Sequence, residues 1–266
     1  MNAFEIKGGE VLNGTIIPQG AKNEALQILC AVLLTPEEVT VHNVPDILDI
    51  NKLIELLAAI GVVVKKTGEE SYSFKAEKIN IDYLETPEFT KQAAALRGSV
   101  MILGPLLARF GKGAIPKPGG DKIGRRRLDT HFIGLQKLGA HFAFDSVERF
   151  TRVSAPKLTG TYMLLDEASV TGTANIVMAA VMAQGTTTIF NAACEPYLVQ
   201  LCNMLVRMGA KIQGIGSNLL TIEGVTSLKG TTHTLLPDMI EIGSFIGMAA
   251  MCQSDITIAN VNFSAL

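Results

Sequence analysis

The sequence predicts an α/β fold built from repeated βαβαββ-like units, and three observations lead to this prediction. The same order of apolar helix, short β-rich stretch, second helix and further strand occurs three times along the 266 residues. Each second helix ends at a glycine, Gly61, Gly139 or Gly209, at intervals of 78 and 70 residues. Apolar residues make up 48% of the chain, which is enough to build a large core.

Helical periodicity identifies the second helix of the units. The apolar stripes are Leu53, Ile54, Leu57 and Ile60 in the first unit and Leu201, Met204, Leu205 and Met208 in the third. Glycine most easily takes the left-handed conformation that ends a helix, so the three glycines predict the helix C-termini. The segments that follow are β-branched or alternating, as in Val62-Val63-Val64, and predict strands.

A fourth unit begins near Ile242 and reaches only its first short strand. Repeat units bury their apolar faces against neighbours, so an incomplete unit predicts exposed apolar surface and self-association. We interpret the chain as part of a longer protein. The alternative is a naturally shortened relative with an atypical last unit.

Composition narrows the class of protein. The formal net charge of −2 argues against a nucleic-acid binder, and no apolar run reaches the length of a membrane-spanning helix. The N-terminus lacks the basic and apolar regions of a secretory signal. The cysteines are scattered without a CxxC motif, which predicts reduced and mostly buried thiols at Cys30, Cys194, Cys202 and Cys252. We therefore expect a soluble cytoplasmic protein without a nucleic-acid or membrane partner.

Two stretches carry residues that suit anions. Residues 109–127, RFGKGAIPKPGGDKIGRRR, contain seven basic residues and one acid, Asp121. Arginine forks match phosphate and carboxylate oxygens, although a solvated basic loop is the alternative. Lys22 and Asn23 stand at the entry to the first apolar helix, where both can face an anion; a capping Asn beside an exposed Lys is the alternative. The four histidines lack metal-ligand spacing, so no metal site is predicted.

Several segments, in order and across the entire chain, resemble one enzyme family. They are AKNEALQILCAVLLT, NVPDILD, LRGSVMILGPLLARFGKG, PGGDKIGRRRLDTHFIGLQKLGA, EPYLVQLCNMLVRMGAKI, TIEGV and LPDMIEIGSF. Together they resemble the UDP-N-acetylglucosamine 1-carboxyvinyltransferase family. The resemblance implies an enolpyruvate transferase-like inside-out α/β barrel, of which this chain holds about three and a half of six units.

The resemblance also implies a reaction. The enolpyruvyl group of phosphoenolpyruvate is transferred to the 3-hydroxyl of UDP-N-acetylglucosamine and phosphate is released, without a metal or organic cofactor. In the family this is the first committed step of peptidoglycan synthesis. The closest alternative enzyme is 5-enolpyruvylshikimate-3-phosphate synthase, which shares fold and chemistry. A non-catalytic module that binds UDP-N-acetylglucosamine is the alternative from another class.

Positions that match the family's motifs imply roles for individual residues. Lys22 and Asp121 match catalytic positions, and phosphoenolpyruvate contacts fall on Lys22, Asn23 and Arg126. The implied UDP-sugar contacts are Asn23, Arg97, Arg126, Arg127, Leu128, Asp129, Thr130, Glu167, Ser169 and Val170. Two of these depart from the family pattern: Arg127 replaces a usual Pro, and Glu167 stands where some members have a Lys.

Asp121 takes the place of a Cys that serves most members as the proton donor to the methylene carbon. An unperturbed Asp, with a pKa of about 3.9, is only roughly 0.1% protonated at pH 7. A donor role therefore requires a pKa raised by desolvation or by the substrate's charge in the closed complex. Without the thiol, we also expect no covalent inactivation by fosfomycin.

The predicted domain division follows from the repeats and the resemblance. Residues 22–236 form a complete three-unit domain, while residues 1–21 and 237–266 belong to a partial second domain. The substrates are expected in the cleft between the lobes, which closes as the Asp121 loop folds down. The family's acid for the sugar hydroxyl and further arginines match no position before Leu266, so we expect this chain to be inactive alone.

Overall fold

A computed structural model describes residues 3–117, 119 and 127–265. The strands are β1 (Asn13–Ile16), β2 (Glu38–His42), β3 (Val63–Gly68), β4 (Ser71–Lys75), β5 (Lys112–Pro116), β6 (His141–Asp145), β7 (Phe150–Ser154), β8 (Tyr162–Leu164), β9 (Thr186–Phe190), β10 (Lys211–Gln213), β11 (Leu219–Glu223), β12 (Thr231–Thr234) and β13 (Asp255–Ile258). The α-helices are α1 (Lys22–Ala31), α2 (Leu48–Ala59), α3 (Pro87–Ala94), α4 (Leu103–Phe110), α5 (Asp129–Lys137), α6 (Val170–Ala180), α7 (Pro196–Arg207) and α8 (Met239–Met251). Short 3-10 helices cover Val32–Leu34, Ile81–Glu85, Arg97–Ile102 and Phe263–Ala265.

The predicted repeats are confirmed in the order of the elements. The three units run α1-β2-α2-β3-β4, α4-β5-α5-β6-β7 and α6-β9-α7-β10-β11. Their second helices end at Gly61, Gly139 and Gly209, with φ of 107°, 102° and 108°. The residue after each glycine donates its N–H to a carbonyl in the last helical turn at 2.9–3.0 Å, which is the Schellman arrangement.

Sheet pairing joins each unit to its neighbour. Within a unit three strands pair antiparallel, in the orders β2-β4-β3, β5-β7-β6 and β9-β11-β10. The preceding unit supplies a fourth, parallel strand: β8 pairs with β9, and β12 pairs with β2. Because β12 follows the third unit and joins the first, the ring of three units closes. In the second unit the described residues provide three strands, and the 3-10 helix Ile81–Glu85 packs against β5.

The core lies among helices that are buried on every side. In α1 all residues from Glu24 to Ala31 are buried, and in α6 all residues from Gly172 to Ala180 are buried. A helix without a solvated face needs cover all round, which the other helices and the sheets provide. Helices α1 and α6 are therefore inside and the sheets outside, as the inside-out barrel requires.

The remaining elements lie beyond a double crossing of the chain. Strand β1 pairs in parallel with β13, and α8 packs against β13. The two passages run side by side: the Ala21 N–H donates to the Leu236 carbonyl at 2.8 Å, and the Asp238 N–H donates to the Gln19 carbonyl at 2.9 Å. In α8, all of which is described, only Ile242 is buried. Apolar side chains are thus exposed here, whereas the predicted self-association stays a prediction.

The expectation that the thiols are mostly buried is correct for Cys30 and Cys202 and wrong for Cys194 and Cys252. Cys194 lies in the loop before α7 and Cys252 directly follows α8, so neither occupies an inward helical position. Burial raises the pKa of the Cys30 thiol and raises that of Cys202 to about 12.

None of the described helices is by itself long and apolar enough to cross a membrane. The segments Pro87–Ala94 and Arg97–Phe110 together satisfy the length and composition for a span, but they meet at a bend of 117°.

Candidate active site

A cavity of about 310 Å³ gathers four of the residues that the sequence nominated, Lys22, Asn23, Arg97 and Leu128. The described residues around it come from α1, the start of α2, the 3-10 helix Arg97–Ile102 and the edges of α5 and α6. The full lining is Lys22, Asn23, Leu26, Leu48, Asp49, Lys52, Ala95, Arg97, Gly98, Val100, Met101, Leu128 and Thr171. Its charged side chains are three cations and one carboxylate, so the cavity suits an anion.

Cavity volume alone does not single out this site. A larger cavity of about 360 Å³ lies over β5, β6 and β7 and contains none of the nominated residues. We base the assignment on the convergence of cations from separate repeats, because polar groups fix the ligand in a binding site.

Lys22 and Asn23 form the first turn of α1. Ala21 occupies the N-cap position without a side-chain hydrogen bond, so the interpretation of Asn23 as the capping residue is wrong. The Lys22 N–H donates to Asp238 Oδ2 at 3.3 Å. Its ammonium lies 2.5 Å from Asp49 Oδ2, and both side chains are partly exposed. The ammonium therefore meets solvent inside the cavity, paired with a carboxylate from α2.

Arg97 connects the cavity to the segment that precedes α5. Its guanidinium donates to the Arg127 carbonyl at 3.5 Å. Arg127 in turn pairs with Asp129, and this carboxylate raises the pKa of the Arg127 guanidinium. Leu128 lies in the cavity wall between them.

A second group of nominated residues lies beside the cavity without lining it. Thr130 Oγ1 donates to Asp166 Oδ1 at 2.7 Å and so ties the start of α5 to the loop before α6. In that loop Ser169 caps α6 by accepting the Gly172 N–H at 3.2 Å, and its own N–H donates to the Glu167 carbonyl at 2.8 Å. Outside the cavity lining are Arg127, Asp129, Thr130, Glu167, Ser169 and Val170.

Asp121 and Arg126 lie outside the described residues, so their nominated roles stay predictions.

A buried polar network supports the cavity from the core side. Asn175 Oδ1 accepts the Gly104 N–H at 2.7 Å, while its Nδ2 donates to the Val100 carbonyl at 3.0 Å and to His131 Nδ1 at 3.1 Å. His131 Nε2 therefore carries the proton and donates to Thr171 Oγ1 at 3.2 Å. Burial, and then the positive charge of Arg97, lower the pKa of His131 to about 4.

Sequence reasoning missed Asp49, Lys52, Thr171 and His131. Asp49 lies in the first turn of α2, where an acidic residue is usual and carries no functional signal of its own. Lys52 follows three residues later and lines the same cavity. His131 carries no local signal either, because its only nearby pattern, a D-x-H with Asp129, is common by chance. Its role depends on burial and on α6, which local spacing does not show.

Comparisons with known proteins identify the family to which the whole chain belongs. Residues 6–266 match the family model of EPSP synthase (3-phosphoshikimate 1-carboxyvinyltransferase). The chain is 66% identical over 266 residues to a UDP-N-acetylglucosamine 1-carboxyvinyltransferase of Bacteroides thetaiotaomicron, covering 100% of this chain and 61% of the relative. It is 60% identical over 262 residues to the Porphyromonas gingivalis protein of the same name, covering 98% and 60%. The chain thus spans about three fifths of the length of these curated relatives.

A solved structure supports the fold. The enolpyruvyl transferase NikO from Streptomyces tendae superimposes with a TM-score of 0.76 at 21% sequence identity, covering 90% of this chain and 55% of that one. The predicted enolpyruvate transferase-like α/β fold is therefore confirmed. With the matched model and the relatives in agreement, the chain belongs to the EPSP synthase (3-phosphoshikimate 1-carboxyvinyltransferase) family.

Proposed function

We propose that the protein containing this chain transfers the enolpyruvyl group of phosphoenolpyruvate to the 3-hydroxyl of UDP-N-acetylglucosamine and releases phosphate. This is the first committed step of peptidoglycan synthesis. The observation that carries the proposal is the convergence of Lys22, Asn23 and Arg97 on one cavity. The names of relatives at 60–67% identity support the same reaction.

Lys22 is the residue that faces the phosphoenolpyruvate anion in this proposal. Its ammonium already holds a carboxylate, Asp49, at 2.5 Å in a partly exposed position. A surface ion pair of this kind is weak, so a more highly charged phosphate can replace Asp49 at modest cost. Asn23, one residue further along the same helical turn, offers an amide to the carboxylate or to the tetrahedral centre.

Proton transfer to the methylene carbon is assigned to Asp121, and a further anion contact is assigned to Arg126. Both assignments depend on the family's motif alone, since these residues lie outside the described part of the chain. The donor role requires that loop closure and substrate charge raise the pKa of Asp121.

The UDP portion is assigned to the two loops joined by the Thr130–Asp166 hydrogen bond. Arg127 supplies a cation for the diphosphate, and Ser169 and Val170 begin a helix whose N-terminus favours negative charge. Glu167 on the same loop is unfavourable near a diphosphate. We therefore place its side chain on the sugar or uridine side, where a carboxylate accepts hydrogen bonds from hydroxyl and imide groups.

The domain division is part of the proposal. Residues 22–236 form the three-unit domain, and residues 1–21 with 237–266 contribute to a second one. Substrates then bind where the cavity faces the second domain. This placement is supported by Lys22, which lies two residues after Gly20, where the chain crosses beside Pro237.

The decisive experiment measures phosphate release from phosphoenolpyruvate by the longest protein that the gene encodes. UDP-N-acetylglucosamine and shikimate 3-phosphate are supplied in parallel. Release with the sugar nucleotide only is expected. Release with shikimate 3-phosphate only favours the synthase. Binding of UDP-N-acetylglucosamine without any release favours a non-catalytic module.

A further inference from the structure

The residue that follows Lys22 and Asn23 is a carboxylate without access to solvent. Glu24 lies in the first turn of α1 and is fully buried. A buried charge is stable only with hydrogen-bonding partners, and Glu24 has two. Its Oε1 accepts from His233 Nε2 at 2.7 Å, and its Oε2 accepts the Leu236 N–H at 3.1 Å.

A third residue fixes the direction of these hydrogen bonds. Arg207, the last residue of α7, places Nη2 2.6 Å from His233 Nδ1. A guanidinium only donates, so Nδ1 must accept and Nε2 carries the imidazole proton towards Glu24. Arg207, His233 and Glu24 therefore form a directed chain from the end of α7, through β12, to the first turn of α1.

The other partner of Glu24, Leu236, belongs to the double crossing between the two predicted domains. Its carbonyl accepts the Ala21 N–H at 2.8 Å, so Leu236 is hydrogen-bonded to both sides of Lys22 in sequence. Asp238, two residues on, accepts the Lys22 N–H at 3.3 Å and the Tyr197 hydroxyl at 3.4 Å. The backbone of Lys22 is thus held through contacts that converge on residues 236–238.

We propose that Glu24 is a positioning residue for the active site: with His233 and Arg207 it fixes the first turn of α1 against the crossing, and so directs Lys22 and Asn23 towards the substrate. Glu24 is not among the described residues that line the cavity, so it acts on the site through the position of Lys22 and Asn23. This inference rests on the proposed function. It adds that one buried carboxylate, Glu24, contributes to the geometry of both the crossing and Lys22.

The test compares Glu24→Gln with Thr35→Val, each made in the longest protein that the gene encodes. Glutamine is isosteric but presents a donor amide to one of the two donors that Glu24 accepts from. Thr35 is a matched control, because its buried hydroxyl also bonds to the third unit, donating to the Leu228 carbonyl at 2.8 Å, yet it lies beyond the far end of α1. Both variants lose a buried hydrogen bond, and only one loses it beside Lys22.

We expect Glu24→Gln to lower kcat/KM for phosphoenolpyruvate by about 10- to 100-fold, as for a small displacement of a catalytic group. KM for UDP-N-acetylglucosamine should change less than about twofold, and Thr35→Val should keep near wild-type kinetics. His233→Gln should give a loss similar to that of Glu24→Gln. The kcat/KM of the double variant should be no lower than that of the more impaired single variant, because Glu24 and His233 act through one shared hydrogen bond.

Two results overturn the inference while leaving the proposed function intact. One is wild-type kinetics in Glu24→Gln, and the other is an equal loss in Thr35→Val, which reduces Glu24 to general stability. Absence of turnover in the unsubstituted protein contradicts the proposed function itself, and the inference with it. Thermal unfolding of every variant identifies losses that come from unfolding.

Discussion

The two walls of the cavity are built on different physical principles. The wall from α1 and α2 carries a partly exposed ion pair, Lys22 with Asp49. The wall from Val100 and Thr171 is supported by Asn175 and His131, which are buried, uncharged and hydrogen-bonded at fixed geometry. An exposed ion pair exchanges partners easily, whereas a buried neutral network does not. The site thus combines an exchangeable wall, in which the Lys22 ammonium can leave Asp49 for a ligand anion, with a fixed wall that keeps its shape.

The largest effect is expected from removing the cation of the exchangeable wall. Lys22→Ala should lower kcat/KM for phosphoenolpyruvate by about 100- to 1000-fold, since one preorganised charge on the reacting group is lost. Phosphate release under steady-state conditions measures it. Lys78→Ala is the control, because Lys78 is exposed and does not line the cavity. Equal activity in the two variants would contradict the role of Lys22.

The next effect concerns the fixed wall. Asn175→Leu should destabilise the protein by about 4 kcal/mol, because it leaves the Gly104 N–H, the Val100 carbonyl and His131 without their partner. Urea unfolding measures the change. A loss below about 1 kcal/mol would show that the network contributes little. Gly104 packs so closely on Asn175 that a Cβ there would lie 2.3 Å from the Asn175 carbonyl oxygen, which leaves little room for relaxation.

His131 makes the stability of the same wall depend on pH. Its pKa is lowered from 6.5 in the unfolded chain to about 4 in the fold, by burial first and Arg97 second. Between pH 6.5 and pH 4, His131 is therefore protonated in the unfolded chain but neutral in the folded protein. The free energy of unfolding should fall as the pH drops from 6.5 to 4, by about 3 kcal/mol in full.

The measurement is urea unfolding at several pH values for the wild type and for His131→Gln, which cannot titrate. The difference between the two pH profiles isolates this histidine from the carboxylates. Parallel profiles would show that the pKa of His131 is the same in the folded protein as in the unfolded chain.

Local sequence signals predicted the frame of the fold but not its closure. Gly61, Gly139 and Gly209 predict helix ends, because a helix C-terminus often needs one residue with a positive φ and glycine adopts it most easily. The pairing of β12 with β2 joins residues almost two hundred positions apart, and no local pattern encodes it. Short strands such as β8 also gain their identity only from the partner strand.

The same distinction applies to the site. Lys22 and Arg97 belong to recognisable motifs, so sequence reasoning nominated them. Glu24 and Asp49 are acids in the first turns of helices, where an exposed acid is ordinary. Their surroundings distinguish both from ordinary first-turn acids: Glu24 is fully buried, and Asp49 lines the cavity. Burial depends on packing among all three units, so it could not be predicted from one segment.

The smallest effect sharpens the contrast between the walls, because it asks whether Asp49 truly competes for Lys22. Asp49→Asn should change the free energy of unfolding by less than about 1 kcal/mol, as for other exposed ion pairs. It should nevertheless tighten the binding of inorganic phosphate by about threefold at low salt, since the anion no longer displaces a carboxylate. Calorimetric titration with phosphate measures this, and Asp82→Asn, outside the cavity lining, is the control. Weaker phosphate binding in Asp49→Asn would mean that Asp49 holds the ammonium in position instead of competing with the ligand, and the first wall would then be as fixed as the second.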